Sequence, residues 1–409
     1  MAREVASCRG DFPSLKREVD GRPLRFLDGP AGTQVPQAVI DAVSGYYRHS
    51  NANCGGAFAT SRETGQVLEA TRAACADLLG VGDSGTVSLG PNMTTLTYAL
   101  SHALERHFAP GDEVVITQLD HEANRGPWRA LERSGIVVKE IAVRPDATLD
   151  PDDMARQITA KTRLVAAGGS SNAFGTVNDI ARLRDLSRAV GAWLFVDAVH
   201  YAPHFPLDVV AWDADFVAAS AYKFYGPHVG MLYARAGLLD ALSTDRLCTV
   251  PATAPDCLET GTPNYAAFAG VTAAIDYLAE FGDGEHRRAR LLAAMQRVHT
   301  HERAMLLRLA EGLTALPGCA IAGTPADTDP RAPTLAITVD GVHSDRIGAW
   351  LGEHGVAVWS GHFYAVRPVE KLGYAERGGV VRIGISMYTS AEDVDAAVAA
   401  VAALPRQSR

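Results

Sequence analysis

The sequence predicts an α/β protein in which a mostly parallel sheet is followed by a smaller α+β region. Through the middle of the chain, short apolar runs alternate with longer amphipathic segments, which is typical of crossover units on a parallel sheet. The later part of the chain carries two long stretches with apolar residues at helical spacing, at residues 266–281 and 287–315. We therefore predict a large domain at residues 22–263 and a small domain at residues 264–409, with residues 1–21 packing against the small one.

The individual elements follow from the positions of the apolar runs. In the large domain, six short runs predict buried strands, at residues 113–117, 136–143, 164–167, 193–196, 216–219 and 231–234. Residues 179–190 predict a helix, with Asp179 as its N-cap and Gly191 as its terminator. In the small domain we predict strands at residues 335–339, 356–359 and 380–385 and helices at residues 345–354 and 391–404. Two domains of this kind commonly bind a ligand in the cleft between them.

The composition excludes several classes of protein. The 409 residues include 38 Lys and Arg against 47 Asp and Glu, and this net charge of −9 argues against nucleic acid as the partner. No apolar run reaches the ~18 to 20 residues that cross a bilayer, and residues 1–15 lack a secretory pattern, so we expect a cytoplasmic protein without membrane contact. The six cysteines form no CxxC pair and are expected to be free thiols. His200 and His204 stand four apart, but Pro203 argues against a regular helix there, so no metal site is expected.

Two predicted strands end in groups that can carry chemistry. Asp197 ends the run at residues 193–196, and Ser220 and Lys223 follow the run at residues 216–219. Ligands of α/β enzymes bind outside the carboxyl ends of such strands. The Asp and the Lys could form an ion pair that holds the rim together. They are also the pair that pyridoxal phosphate requires, because the cofactor needs an amine to form an imine and a carboxylate to keep its ring nitrogen protonated.

A phosphate would need a cradle of its own. Residues 90–95 run from a strand into a helix, so backbone N–H groups and the hydroxyls of Thr94 and Thr95 would face an anion there. Ser220 would close this site from the other side. Taken alone, a hydroxyl pair at a helix start is a weak signal, because such residues cap many helices. Together with Lys223 it favours a phosphate-bearing cofactor.

At this point the sequence resembles the class V aminotransferase family of fold-type I pyridoxal phosphate enzymes, and within it the cysteine desulfurases and their relatives. The resemblance runs from Phe26 to the final helix, and it implies a seven-stranded, mostly parallel sheet in the large domain. Its most specific segment is Ser-Ala-Tyr-Lys-Phe-Tyr-Gly-Pro at residues 220–227. The other matching segments are Asp-His-Glu-Ala-Asn at 120–124, Ser-Asn-Ala-Phe-Gly-Thr-Val at 171–177, Val-Asp-Ala-Val-His at 196–200 and Gly-Thr-Pro-Asn at 261–264.

The resemblance implies a role for each matching residue. Lys223 would form the Schiff base and act as acid or base, Asp197 would pair with the ring nitrogen, and His121 would stack on the ring and shuttle protons. Asn172 would lie beside the phenolic oxygen and the substrate carboxylate, which Arg382 would grip. The remaining residues would contact the phosphate, and these are Thr94, Thr95, Ser220 and, from the neighbouring subunit of a homodimer, Thr262.

Three positions depart from the family pattern. Tyr222 stands where the family often has His before the Schiff-base lysine, and His200 stands where many members have a Gln that contacts the phenolic oxygen. Both are expected to contact the cofactor. Tyr364, expected at the substrate, stands where desulfurases carry the nucleophilic Cys. A phenol cannot hold sulfur as a persulfide, so we predict that the chain does not perform persulfide-relay desulfuration.

What remains is the reaction shared by the family, in which a small amino acid passes through an external aldimine and a quinonoid. From there, β-elimination by a C–S lyase fits a desulfurase-like pocket best, because it needs no Cys. An amino-acid epimerase or an aminotransferase is the alternative. Retention of both Lys223 and Asp197 argues against a non-enzymatic scaffold. Trp359, Phe363 and Tyr364 indicate a substrate bulkier than cysteine.

Overall fold

A computed structural model describes residues 2–405, so the last four residues of the predicted small domain, 406–409, lie outside the described residues. Its largest sheet has seven strands in the order β4-β10-β9-β8-β7-β5-β6. Only β10 runs antiparallel to its neighbours, and the other pairs are parallel. The prediction of a mostly parallel seven-stranded sheet with a smaller α+β part is therefore confirmed. The strands are β1 Glu18–Val19, β2 Arg22–Pro23, β3 Arg25–Phe26, β4 Val87–Gly90, β5 Glu113–Thr117, β6 Val137–Ile141, β7 Thr162–Gly168, β8 Trp193–Asp197, β9 Phe216–Ser220, β10 Gly230–Ala234, β11 Cys319–Ala322, β12 Thr334–Val339, β13 Val356–Ala357, β14 Trp359–Gly361 and β15 Val380–Gly384.

Helices cover both faces of this sheet, as the alternation of strands and amphipathic segments predicts. Helix α6 begins after Asp179, whose side chain accepts the N–H of Arg182 at 2.9 Å, and it ends at Gly191 in the left-handed conformation. Both predicted ends of this helix are therefore confirmed. The helices are α1 Gln37–His49, α2 Ala59–Leu79, α3 Met93–Glu105, α4 Gly126–Arg129, α5 Pro151–Gln157, α6 Ile180–Val190, α7 Val209–Trp212, α8 Tyr265–Ala279, α9 Arg287–Thr314, α10 Ser344–Glu353, α11 Val366–Lys371 and α12 Ala391–Ala402.

The central strands are buried on both faces, which explains why they read as continuous apolar runs. Alternate residues of one strand belong to two different hydrophobic clusters, as Val114 and Val115 of β5 show. Because successive side chains point to opposite faces of a sheet, each strand supplies both cores at once. No helix within residues 2–405 combines the length and apolar character that a membrane crossing requires.

The small sheet has the strand order β11-β12-β15-β14 and is antiparallel. Residues 356–359, predicted as one strand, form parts of two strands with different partners. β13 pairs in parallel with β3, whereas β14 pairs with β15. The apolar pattern of residues 356–359 does not show where one strand ends and the next begins, because both strands are short and extended.

Helix α8 packs against α1 and α2, and Val271 and Ile275 belong to the same hydrophobic cluster as the large sheet. At the other end of the chain, Arg9 forms an ion pair with Asp393 of α12. The division of the chain between residues 263 and 264 therefore stays a proposal, and it is based on the presence of two separate sheets.

Candidate active site

The carboxyl ends of the parallel strands meet at one edge of the large sheet. Asp197 ends β8, and Ser220 ends the neighbouring strand β9, just before Lys223. β4 leads at the same edge into α3, whose N-cap is Asn92. The tertiary structure thus brings together the groups that the sequence places at separate strand ends.

Two connected cavities occupy this edge. The outer cavity has a volume of about 560 Å³ and the inner one about 60 Å³. Both are lined by Thr94, His121, Asn172, Tyr222 and Lys223. The outer cavity adds Arg382 and Tyr364, and the inner cavity adds Asp197, His200 and Ser220. All predicted site residues except Thr95 and Thr262 therefore surround one connected space.

Lys223 lies at the centre of this space and is 8% exposed. Its Nζ donates to the backbone oxygens of Pro30 and, at 3.1 Å, of Ala31. Burial, helped by the charge of Arg382 and opposed by those of Asp197 and Asp28, lowers the pKa of this amine to about 7. A large fraction of the amine is therefore neutral near pH 7, which is the form that attacks a carbonyl.

Two buried carboxyl groups line the inner cavity. Burial raises the pKa of Asp197 to about 6, although the N–H of Val199 donates to it at 2.9 Å. Burial and the charge of Asp197 raise the pKa of Asp120 to about 7, and Asp120 accepts the N–H of Gly168 at 2.8 Å. The sequence shows Asp120 only as part of the motif at residues 120–124, and it does not predict that this side chain lines the cavity. Asp197 has no ion-pair partner among residues 2–405, and such a carboxylate is suited to a cationic ring nitrogen.

His121 is held as a neutral imidazole. Burial lowers its pKa to about 4, and the charges of Lys223 and Arg382 act in the same direction. Its Nδ1 accepts the N–H of Ala123 at 2.9 Å, so the ring proton resides on Nε2. Its ring centroid lies 5.4 Å from that of Tyr364.

The start of α3 is tied to β9. Ser220 Oγ accepts the N–H of Met93 at 3.0 Å, and Asn92 Oδ1 accepts the N–H of Thr95 at 2.9 Å. The Thr95 hydroxyl also donates to Asn92, and it lines a separate cavity of about 420 Å³ together with the exposed Thr262. Within one chain, Thr95 and Thr262 are thus apart from Lys223, and their predicted roles stay predictions.

Arg382 is 3% exposed and carries its charge into the outer cavity. Its Nη1 donates to the backbone oxygen of Asn172 at 3.0 Å, and its guanidinium carbon lies 4.3 Å from the ring centroid of Phe363. Burial lowers its pKa to about 9, against the opposing charge of Asp28. A buried guanidinium with few partners is a strong receptor for a carboxylate.

The loop that follows β14 forms the mouth of the outer cavity. Phe363 and Tyr364 both adopt positive φ angles, of 53° and 59°. Asn172 Nδ2 donates to the Phe363 oxygen at 2.9 Å, and the N–H of Glu122 donates to the Tyr364 oxygen at 2.8 Å. These bonds hold the backbone, whereas the Tyr364 side chain is 66% exposed. None of the six cysteines, all within the described residues, lines either cavity.

The residues of the two cavities fit pyridoxal phosphate. Four buried side chains that line them each keep one polar atom without a hydrogen-bond partner among residues 2–405, and these atoms are Ser170 Oγ, Asn172 Oδ1, His200 Nδ1 and Arg382 Nε. Buried polar atoms are rarely unpaired, so this cluster indicates a polar ligand. An amine, a carboxylate and a helix N-terminus surround the same space, which matches the imine, ring nitrogen and phosphate of the cofactor.

The fold and these groups define a fold-type I pyridoxal phosphate enzyme, and the comparisons with known proteins agree. The model of the family "Aminotransferase class-V" matches residues 25–397. A cysteine desulfurase of Serratia proteamaculans is 31% identical over 98% of each chain. The apo cysteine desulfurase of Thermococcus onnurineus is 26% identical over 98% of each chain, with a TM-score of 0.88. A C-DES mutant with glycine covalently linked to its PLP cofactor shares the fold, with 20% identity over 97% of this chain and 99% of that one and a TM-score of 0.81.

This chain belongs to the class V aminotransferase family, as the resemblance implied. It is an enzyme, and its cofactor is pyridoxal phosphate, the cofactor of that family, which the residues of the two cavities fit.

Proposed function

We propose that the enzyme is a C–S lyase that acts on an S-substituted cysteine without a persulfide relay. With water, the substrate would yield a thiol, pyruvate and ammonia, so that the β-carbon loses its sulfur and the α-carbon its amine. The observation that carries this proposal is the loop at the cavity mouth, where Tyr364 lines the outer cavity and no described cysteine lines either cavity. The relatives named cysteine desulfurases support C–S bond cleavage.

The cofactor, when bound, withdraws electrons from the substrate α-carbon. In our proposal Lys223 would hold it covalently, and Asp197 would pair with its ring nitrogen. Its phosphate and phenolic oxygen would be held by hydroxyl, imidazole, amide and phenol groups, and these residues are Thr94, Ser220, His200, Asn172 and Tyr222.

The protein groups around the substrate divide the remaining tasks. Arg382 would bind the α-carboxylate through its two-pronged guanidinium. Lys223, of which a substantial fraction is neutral near pH 7, would take the α-proton once the substrate amine has replaced it. His121 would cover one face of the ring and exchange protons through Nε2. Burial excludes water from these groups and strengthens each electrostatic contact.

The aromatic mouth of the outer cavity supports a bulky S-substituent. Trp359 is 53% exposed at its rim, and Tyr98, Phe363 and Tyr364 line the same space of about 560 Å³. Aromatic side chains bind apolar groups over a large area.

The assembly and the location also belong to this proposal. Thr262 lies in an exposed segment, where it would reach the phosphate of a neighbouring subunit, so we propose a homodimer with shared sites. A cytoplasmic location follows from the expected free thiols.

The first test compares cysteine, cystine and S-substituted cysteines as substrates. We expect pyruvate and thiol in equal amounts, without any need for a keto acid, and a higher kcat/KM for the bulkier S-substituents. Pyruvate and thiol are followed by coupled assays. Transfer of the amine to an added keto acid would instead identify an aminotransferase. Inversion of configuration at the α-carbon without release of pyruvate would identify an epimerase.

The variants Tyr364→Cys and Tyr364→Ser provide the control for the loop. With cysteine as substrate, we expect a protein-bound persulfide only in the Cys variant, because only a thiolate can accept the sulfur. Mass spectrometry of the protein detects it. A persulfide in the unmodified enzyme would contradict the proposed absence of a relay.

Uptake of the cofactor is expected to depend on pH through Lys223. The amine must be neutral to attack the aldehyde, so the uptake rate should rise as the pH passes through about 7 and level off above it. The rate is measured as the visible band that appears when apoprotein is mixed with the cofactor. In Asp197→Asn the midpoint should move to lower pH, because the carboxylate raises this pKa. A midpoint near the ordinary lysine value of about 10 would contradict the assignment.

A further inference from the structure

His200 occupies the turn after β8, and its ring lines the inner cavity with Asp197 and Lys223. The residue is 4% exposed. Its Nε2 lies 3.1 Å from the hydroxyl oxygen of Thr334, whereas its Nδ1 has no hydrogen-bond partner among the described residues. Because a ring nitrogen is seldom buried without a partner, Nδ1 is the atom that this ring offers to a bound group.

Thr334 reaches this site from the small sheet. It is the first residue of β12, is fully buried, and pairs in register with Gly384 of β15, two residues beyond Arg382. Its backbone oxygen accepts from Nη2 of the buried Arg331 at 3.1 Å. The hydroxyl that contacts His200 is therefore held by a paired strand and does not depend on a mobile loop.

The surroundings of His200 keep its ring neutral. Burial lowers its pKa well below the ordinary value, and the positive charges of Lys223 and Arg382 act in the same direction. His204 lies edge-on at 5.1 Å between ring centroids, and its Nδ1 is 2.9 Å from the carboxylate of Glu302, whose side chain is fully buried. Glu302 is thus engaged by His204, and no carboxylate contact within residues 2–405 stabilises a cation at His200.

A neutral imidazole has one nitrogen that donates and one that accepts. The hydroxyl of Thr334 can supply a proton to Nε2, and the ring proton then resides on Nδ1. We infer that Thr334 is a positioning residue, which donates to Nε2 of His200 and so keeps an Nδ1–H donor directed to the phenolic oxygen of the cofactor. This inference rests on the cofactor contacts proposed above and not on the elimination reaction.

The test is a pH titration of the visible band of the resting holoenzyme, without substrate. The negative phenolic oxygen of the cofactor would attract the proton of the imine that Lys223 forms. A hydrogen-bond donor at this oxygen reduces that attraction, so a weaker donor raises the pH at the midpoint of the titration. We expect Thr334→Val to raise the midpoint by about 0.5 to 1 pH unit, the effect of one hydrogen bond. Thr334→Ser keeps the hydroxyl and should titrate as the unmodified enzyme does.

A double variant separates this role from packing. His200→Gln supplies its own amide donor, so Thr334→Val should produce no further shift in that background. An unchanged midpoint in Thr334→Val, an equal shift in Thr334→Ser, or an undiminished shift in the His200→Gln background would overturn the inference. Because no substrate is present, a failure of the proposed elimination reaction would leave these results unaffected.

A second measurement needs no change at Thr334. In holoenzyme with ¹⁵N-labelled histidine, we expect the His200 chemical shifts to place the proton on Nδ1, and the signal is assigned by its absence from His200→Gln. A proton on Nε2 would overturn the inference, since Thr334 would then accept and Nδ1 could not donate.

Discussion

Replacing Lys223 by Ala abolishes the visible absorption band of the holoenzyme and lowers the turnover rate by about 10³-fold or more. Lys223 is the one lysine that lines the two cavities within residues 2–405, so its loss removes both the covalent attachment and the base. The band is recorded on purified protein with added cofactor, and turnover is followed as pyruvate release.

The matched control is Lys161→Ala, which removes an exposed lysine next to β7 and should leave both readings unchanged. A band that persists in Lys223→Ala would show that another amine holds the cofactor. If the unmodified protein had no band even with added cofactor, the assignment of the whole site would be wrong.

Replacing Arg382 by Gln is expected to lower kcat/KM by about 10²-fold or more, mainly through a higher KM. The guanidinium is buried at the cavity, and its Nε has no partner among the described residues. The substrate carboxylate would supply that partner, and a charged two-pronged contact is stronger than an ordinary hydrogen bond. Gln keeps a donor for the Asn172 oxygen but loses the charge. Steady-state kinetics over a range of substrate concentrations measure this effect.

Arg188→Gln serves as the control, because Arg188 pairs with Asp213 and Asp215 and lines neither cavity. Its KM should stay unchanged. Thermal unfolding of both variants checks that the fold is retained. An Arg382→Gln enzyme with the KM of the unmodified enzyme would contradict carboxylate binding at this residue.

Much of the fold could be predicted because the central strands are buried on both faces. The runs at residues 113–117 and 193–196 read as uninterrupted apolar stretches, and both form strands of the large sheet. Residues 356–359 were predicted less well, since their pairing with β3 and β15 depends on partners far away in sequence. Pairing is a property of the partner as much as of the strand itself.

The candidate site likewise contains residues that could be predicted from the sequence and residues that could not. Asp197 and Lys223 could be found from strand ends, because the carboxyl ends of parallel strands share one edge of a sheet. Asp120 as a cavity residue and Thr334 as the partner of His200 could not be found in this way. Their side chains reach the site from separate elements of the fold. The spacing of residues along the chain therefore does not predict that they lie at the site.

The sequence by itself determined which reactive groups the chain carries, and at which strand ends. It also determined that Tyr364, and not a thiol, follows Trp359 on the loop before Arg382. Only the tertiary structure decided the protonation of these groups, because burial brings the pKa of Lys223 to about 7 and that of Asp197 to about 6. Those shifts depend on the removal of water by residues from both sheets, which local sequence does not encode.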